Sequence, residues 1–537
     1  MKKVLKIALI VVIVLGIALT GVYYAIFNSP VHVTTKNIGN EKPLTVEQKL
    51  EDFEYMYNIM KDNFPYFEVK KRTLGYDWLA HKSEFEGWVK KTKNDIEFYN
   101  TMNRILALLQ NGHTGILSPD YYKMFVKLYG SIPLVNGPWN QVLNNKNVVN
   151  RYKYWGKIIN EKQYVIPVVF KYFEGNYAAI CDINKDDPKK YGIERGSILK
   201  KVGDLTIDEY INSLRDKAFL QYDFKRNILK KDQLLIYTKN IENIKLILLT
   251  PEGKSIEKEI KSIEYTPPKS DNNKLPNYQS LILKENRIAY LKVRSLDGLS
   301  VDKDHDGIYK FLKSIKDYPY LIIDIRGNGG GSDYYWMKNI VPYLTDKALS
   351  ASNYLVIRNG DYIKPFFKAK FGPGFNSLKS TKELPDNLNF PYELRGDFGK
   401  FSYDARTVSS KDPVGFKGKI YILTDGYVYS SAESFAAFAK ATKWATLVGT
   451  TTGGDGIGTD PVLCALPNSG LVFRFSADMG INPDGTINEE KHTSPDVYVE
   501  QSYNDYFKLS IDDYKKNDLN DMLKYDTVVK KVLEIAK

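Results

Sequence analysis

Ser430 and Ser431 stand where the β-rich run Lys419–Leu423 passes through the turn cluster Thr424-Asp425-Gly426 and becomes the alanine-rich run Phe435–Ala439. The pattern predicts a buried strand, a bend and a helix start with a hydroxyl at the bend. Serine is a preferred helix cap. The unpaired N–H groups of a first helical turn would also stabilise an oxyanion formed beside such a hydroxyl. His113, one of five histidines, lies on the turn Gln110–Gly115, between a helix and an apolar segment, where a packed role and a catalytic one are both open to it. Asp324–Gly331, DIRGNGGG, is a glycine-rich turn after a strand, the location at which open parallel sheets bind ligands. It lacks the spacing of a dinucleotide loop and the lysine of a phosphate loop, so its use is bare N–H groups that can approach a substrate carbonyl. Asp484–Asp496, DGTINEEKHTSPD, is a loop carrying two adjacent glutamates, Glu489 and Glu490.

These residues need elements to hold them. Thr45 and Gln48 form a capping-box pattern before Leu50, Phe53, Tyr57, Met60 and Phe64, which predicts a helix stopped near Pro65. A second helix is expected around Trp78–Val89, and a third from Asn94 to the Asn111-Gly112 turn that precedes His113. Together they make a helical domain over 45–125. Residues 126–160 carry few strong signals. Short β-rich runs with turns fill 160–265, where Gly192–Asp204 resembles the loop pattern of PDZ modules, which capture extended peptides at a sheet edge. After a Pro- and Asn-rich boundary at Thr266–Asn277, Arg287–Val293 and Tyr318–Ile325 flank a helix near Ile308–Ile315, a βαβ unit implying a parallel sheet covered on both faces. The loop Asp302–Gly307 mimics half a calcium loop, but Lys313 stands where the bidentate glutamate belongs, and an acidic helix-capping loop is the better account. Residues 345–417 read as a surface insertion or lid, Pro461–Ser476 as a hairpin turning at Asn468-Ser469-Gly470, and 501–537 as a polar segment ending in a helix.

Composition bounds the class. A chain of 537 residues with 43% hydrophobic and 13% aromatic residues can bury more than one core. The net charge of +12 comes from dispersed lysines, so it implies solubility and no nucleic-acid partner. Cys181 and Cys464 sit in apolar, strand-like surroundings that favour buried free thiols. Lys2, Lys3 and Lys6 precede an uncharged apolar run, Ile7–Phe27, long enough for a membrane-crossing helix. The expectation is an anchor or signal over 1–28, a linker over 29–44, and a single-pass protein of the cell membrane with its catalytic part outside the cytoplasm, secreted if the segment is cleaved.

Asp324-x-Arg326-x-Asn328-x-Gly330-Gly331, then Ser430-Ser431-Ala432-Glu433, then Ser494-Pro495-Asp496-Val497, resembles the tail-specific (C-terminal processing) and tricorn-core serine peptidases. The resemblance covers most of the chain and implies an α/β (α+β multidomain) protein. It would have a ClpP/crotonase-like catalytic core over 278–500, a helical N-terminal domain and a PDZ-like module. It implies Ser430 as nucleophile, three residues before the motif's Glu433, and an oxyanion hole from the N–H of Ser431 with Gly330 or its neighbour Gly329. In the tail-specific branch a lysine base follows 25 residues after the serine, and here that position is Asp455. In the tricorn-like branch a histidine from the N-terminal part is the base, matched by His113, and a glutamate supports it, matched by Glu489 with Glu490 as contender. Gly112 replaces the serine that precedes the tricorn histidine. The implied activity is hydrolysis of peptide bonds in polypeptide substrates, without metal or organic cofactor. The competing readings are an inactive homologue that binds peptides or ligands, and a crotonase-type acyl-CoA enzyme. Nucleophile, base and orienting carboxylate are each present, as serine chemistry requires.

Overall fold

In the computed structural model, the strands ending at the glycine turn and at Ser430 lie side by side in one sheet. Residues 30–36, 42–130, 137–159, 162–266, 275–386, 388, 390–396 and 398–536 are described. They fall into two units: Met1–Asn160, Leu355–Ser402 and Gly458–Met479 make unit 1, and Glu161–Tyr354, Tyr403–Ile457 and Gly480–Lys537 make unit 2.

Unit 2 is built on a six-stranded sheet in the order Tyr278–Lys284, Ile288–Val293, Tyr320–Asp324, Lys419–Thr424, Thr446–Gly449, Val497–Tyr498. The first pair is antiparallel and the remaining pairs are parallel. Alternation along each strand decides which side is covered by what. Ala289, Leu291, Val293, Leu321, Ile323, Ile420, Ile422 and Leu447 join a core with the helices Val301–Ser314, Asp333–Asn339 and Ser431–Thr442. The intervening Ile288, Tyr290, Ile322, Tyr421, Leu423 and Val448 pack on the other side against Val528, Val529 and Val532 of the C-terminal helix Thr527–Ile535. Both faces are therefore dry, which explains the nearly continuous apolar strands. The helix of the βαβ unit starts at Val301, so Asp302–Gly307 is helix and not a loop. Asp302 and Asp304 in its first turn complement the helix dipole.

Residues 163–265 of the same unit form a separate core. Its sheet runs Ser255–Lys261, Asn243–Leu249, Ile198–Val202, Asn176–Asp182, Val168–Phe173, Gln233–Leu234, antiparallel throughout. The short helix Ile207–Asn212, opened by a Thr206/Glu209 capping box, packs Ile211 on it. The chain's last segment touches both sheets. Tyr503, Tyr506 and Phe507 pack on Phe173, Ala178 and Ile180 before the final helix reaches the six-stranded sheet.

Unit 1 is mostly helical. The Thr45/Gln48 capping box opens the helix Val46–Asn63, and Asn94 caps Asp95–Ala107. The latter ends four residues before Asn111, and the intervening turn contains Gln110 at φ 46°. Lys146–Ile158 is a further helix, capped by Asn145. The hairpin Val462–Ala465 and Val472–Phe475 pairs with the two-residue strand Gly115–Ile116, which follows His113. Phe366 and Phe367 of the expected surface insertion are buried, and Phe366 meets Trp139 edge-on at 4.9 Å. Residues 355–402 thus belong to the packing of this unit. Cys181 and Cys464 are buried and free, and burial pushes their thiols up to about 11 and about 12.

The expected membrane anchor is corrected. Among the described residues no helix is long and apolar enough to cross a membrane. The run Ile7–Phe27 lies outside those residues, so the single-pass localisation is withdrawn.

Candidate active site

Ser430 is the N-cap of Ser431–Thr442, yet its side chain makes no cap hydrogen bond. Its backbone is at φ 56°, ψ −127°, a region that L-residues other than glycine enter only under constraint. The constraint is visible on three sides. The Tyr429 N–H donates to the Asn328 carbonyl at 3.2 Å, the Ser430 N–H to the Gly454 carbonyl at 3.3 Å, and the Ser434 N–H to the Ser430 carbonyl at 2.9 Å. The hydroxyl is thereby presented at the mouth of a helix and is not spent on closing it.

Ser431 differs from its neighbour. Its hydroxyl donates to Asp333 Oδ1 at 2.7 Å, while the Ser434 hydroxyl reaches Asp333 Oδ2 at 3.2 Å and Arg406 pairs with the same carboxylate at 2.6 Å. Asp333 opens the helix after the glycine turn, so one carboxylate ties that turn to the serine helix. As the first helical residue, Ser431 has no intrahelical acceptor for its own N–H, which faces the same bend.

The glycine turn closes against the serine. A Cβ on Gly330, at φ 99°, would lie 2.8 Å from Ser430 Cβ and 2.7 Å from the Tyr429 carbonyl, so only glycine fits. The Gly330 N–H donates to Asn328 Oδ1 at 2.9 Å, and Asn328 is itself fully buried and donates to the Val293 carbonyl. Gly329 is exposed. Asp324 and Arg326 of the same motif do structural work behind the turn. Burial alone would raise the Asp324 carboxyl, but Arg326, Lys292 and a hydrogen bond from Tyr290 hold it well below the ordinary range.

Three further segments surround Ser430. Asp455 is at φ 48° and accepts a bond from Tyr429 Oη at 3.3 Å. Glu433 is fully buried; its Oε1 accepts from Asn488 Nδ2 at 2.7 Å and Thr493 Oγ1 at 2.6 Å, and burial raises its carboxyl against those bonds. Asn488 Oδ1 accepts from the Gly456 N–H. Glu433 therefore fastens the 488–493 segment to the serine helix and, through Asn488, to the loop after Asp455. Glu489 follows Asn488 in a short helix and is 4% exposed, whereas Glu490 is half-exposed. His492 donates from Nδ1 to the Thr452 carbonyl at 2.7 Å and packs against Phe224. Lys440 is held by the Ser494 carbonyl and Asp496 at the far end of the serine helix, so the Ser-Pro-Asp motif is a clip for that helix.

His113 belongs to unit 1, whereas Ser430, Ser431, Gly329, Gly330 and Glu489 belong to unit 2. In its own unit His113 sits on a turn organised by Asn111, whose Oδ1 accepts from the His113 N–H at 3.2 Å and from Thr114 Oγ1 at 2.8 Å. Sequence reasoning did not single out Asp333, Arg406, Asn488 or His492. Asn488 stands beside Glu489, but nothing in the local pattern ties it to Glu433. A cavity of about 470 Å³ opens at the carboxyl ends of the strands, between Lys292, Asp425 and Tyr427 of the core and Lys230 and Asp232 of the 163–265 region.

Residues 287–499 match the model of peptidase family S41. Mature CPAF in complex with lactacystin aligns over 90% of this chain and 99% of its own, with 13% identity and a TM-score of 0.58, a likeness of fold. The photosystem II D1 C-terminal processing protease aligns over 90% of this chain and 99% of its own with 13% identity and a TM-score of 0.40. The tricorn protease aligns over 88% of this chain and 37% of its own with 15% identity and a TM-score of 0.29. No curated protein matches the sequence. The α/β core that presents Ser430 is thus similar over residues 287–499 to peptidase family S41, and the chain shares the fold of mature CPAF.

Proposed function

We propose that the protein is an endopeptidase that cleaves polypeptides through an acyl-enzyme on Ser430, with His113 as general base and Glu489 as the carboxylate that supports it. The observation that carries this reading is the Ser430 hydroxyl, held at a strained backbone position and left out of the helix cap. Ser430 Oγ attacks the carbonyl carbon of the scissile bond as His113 Nε2 takes its proton. The carbonyl electrons move onto oxygen, and the Ser431 N–H with the glycine turn at 329–330 stabilises that charge. The Gly330 N–H would have to leave Asn328 Oδ1 to take part. Collapse breaks the C–N bond, and the imidazolium returns the proton to the departing amine. Water then attacks the acyl carbon as it gives a proton to His113; collapse breaks the bond to Ser430 Oγ, which takes that proton back from the imidazolium, and the acid product leaves. Burial of Glu489 favours it over Glu490, because a carboxylate acts more strongly on an imidazolium away from water. The 163–265 sheet, as a PDZ-like module, would position the substrate chain at the strand-end cavity.

A fluorophosphonate probe should label the full chain at Ser430, and Ser430→Ala should abolish both labelling and peptide cleavage, by on the order of 10⁴–10⁶-fold in kcat. His113→Ala should lose activity on a similar scale. Absence of labelling, with no cleavage attributable to Ser430, would instead support the inactive binding homologue.

A further inference from the structure

Ser476 follows the strand Val472–Phe475, whose antiparallel register with Gly115–Ile116 pairs Gly115 with Arg474 and Ile116 with Phe473. Continued by two residues, that register sets Ser476 opposite His113. The side chains meet accordingly: Ser476 Oγ is 3.5 Å from His113 Nδ1, and Ser476 is 5% exposed. Arg474, two residues earlier, donates to the Gly112 carbonyl at 2.9 Å and holds the turn to the strand.

The polarity of this contact follows from its third member. Asn111 presents its oxygen to the cluster, because that atom accepts the His113 backbone N–H, which only a donor can supply. Ser476 Oγ also lies 3.5 Å from Asn111 Oδ1 and can only donate to it. By donating to Asn111, the hydroxyl keeps its lone pairs for His113. A neutral imidazole meeting those lone pairs places its proton on Nδ1 and leaves Nε2 as the acceptor.

We infer that Ser476 is a positioning residue that selects the Nδ1–H tautomer of His113 and so keeps Nε2 available as a base. This rests on the reading of His113 as the general base. It assigns to a cross-strand serine, 363 positions away in sequence, an orienting duty that Gly112, lacking a side chain, cannot perform. Asn111 fixes the sense of the chain of bonds from Nδ1–H through Ser476 to its own amide oxygen, so Glu489 would support the imidazolium by its charge and not by accepting the Nδ1 hydrogen. Ser476 moves no proton to substrate and touches no reacting atom.

The test uses the full chain, with kinetics on a peptide substrate and ¹⁵N NMR of histidine-labelled protein at a pH where His113 is neutral. Ser476→Ala should lower kcat about tenfold, the worth of one oriented hydrogen bond, with KM changed less than twofold. Ser476→Thr, which keeps the hydroxyl, should recover most of that loss. The His113 signal should show protonated Nδ1 in the natural chain and a shift toward protonated Nε2 in Ser476→Ala. Ser476→Cys, close in size but a poor acceptor, gives the same readings if the alanine variant fails to fold. An unchanged tautomer and unchanged kcat in these variants, with His113→Ala inactive, would overturn the role of Ser476 and leave His113 as base. Full activity in His113→Ala would overturn the base reading, and the NMR arm would then decide separately whether Ser476 sets the ring.

Discussion

Ser430 carries the clearest conflict between stability and use. A serine at φ 56°, ψ −127° is strained, a state worth on the order of 1–3 kcal/mol that persists only where the surroundings enforce it. Glycine has no such penalty, though it gains freedom in the unfolded chain. Ser430→Gly should therefore be inactive yet more resistant to urea than the equally inactive Ser430→Ala, by about 1 kcal/mol at a matched denaturant slope. Equal midpoints would show that the backbone there is not strained in solution. The sequence shows a serine pair at a helix start and leaves open which member caps. The resemblance separates them, and the structure gives them different neighbours: Ser431 bonds Asp333, and Ser430 bonds no cap. Asp333 was not legible, because its meeting with Ser431 and Ser434 depends on the packing of two helices about a hundred residues apart.

At the level of elements, strand alternation and helix caps were legible because their signals are local. Thr45 with Gln48 and Asn94 with Glu97 are capped as their spacing implies. The helix Lys146–Ile158 was not, since its apolar stripe of Val148, Tyr152 and Trp155 is embedded among asparagines and lysines that also suit a loop. The acidic run after Val301 was misleading for a related reason, as residues that cap helices also sit well in a first turn. The hairpin that ends at Ser476 has an anchor of its own. Asp52, on the helix Val46–Asn63, accepts the N–H groups of Asn468 at 2.7 Å and Ser469 at 2.8 Å at its tip. Burial pushes the Asp52 carboxyl up to about 6, despite hydrogen bonds that oppose it, from an unfolded value of 3.8. The folded state then binds more protons than the unfolded state between about pH 4 and 6, so this group makes stability fall as pH rises through that window and level off above it. Asp52→Asn should lower overall stability by about 1–3 kcal/mol through its mismatched donors. It should also remove that slope, read as thermal midpoints from pH 4 to 7. The same slope in both proteins would mean that Asp52 is ionised across the whole range.

For the whole molecule, no reading along the chain could assemble unit 1, since 355–402 and 458–479 return to the N-terminal helices only in three dimensions. Within unit 2 the comparable long-range device is Arg326. It pairs with Asp324 at the strand end and, 200 residues on, with Asp526 at 2.7 Å. Asp526 also caps the final helix by accepting the N–H groups of Val528 and Val529. One guanidinium thus joins the glycine turn to the segment that packs on both sheets. Removing it leaves Asp324 buried with reduced compensation, a loss of about 3–5 kcal/mol for a buried pair broken on one side. Arg326→Ala should accordingly unfold at lower denaturant and become sensitive to limited proteolysis within 501–537. The sign with pH follows from Asp324. Its carboxyl is held below its unfolded value of 3.8, so its contribution is complete above about pH 4 and is lost as pH falls further. The gap in stability between the natural chain and Arg326→Ala should be constant through neutral pH and shrink only in acid. A gap that instead stays unchanged as pH falls well below 4 would place the decisive charge on some group other than Asp324, and would separate the strand end from the tail in the energetics of this fold.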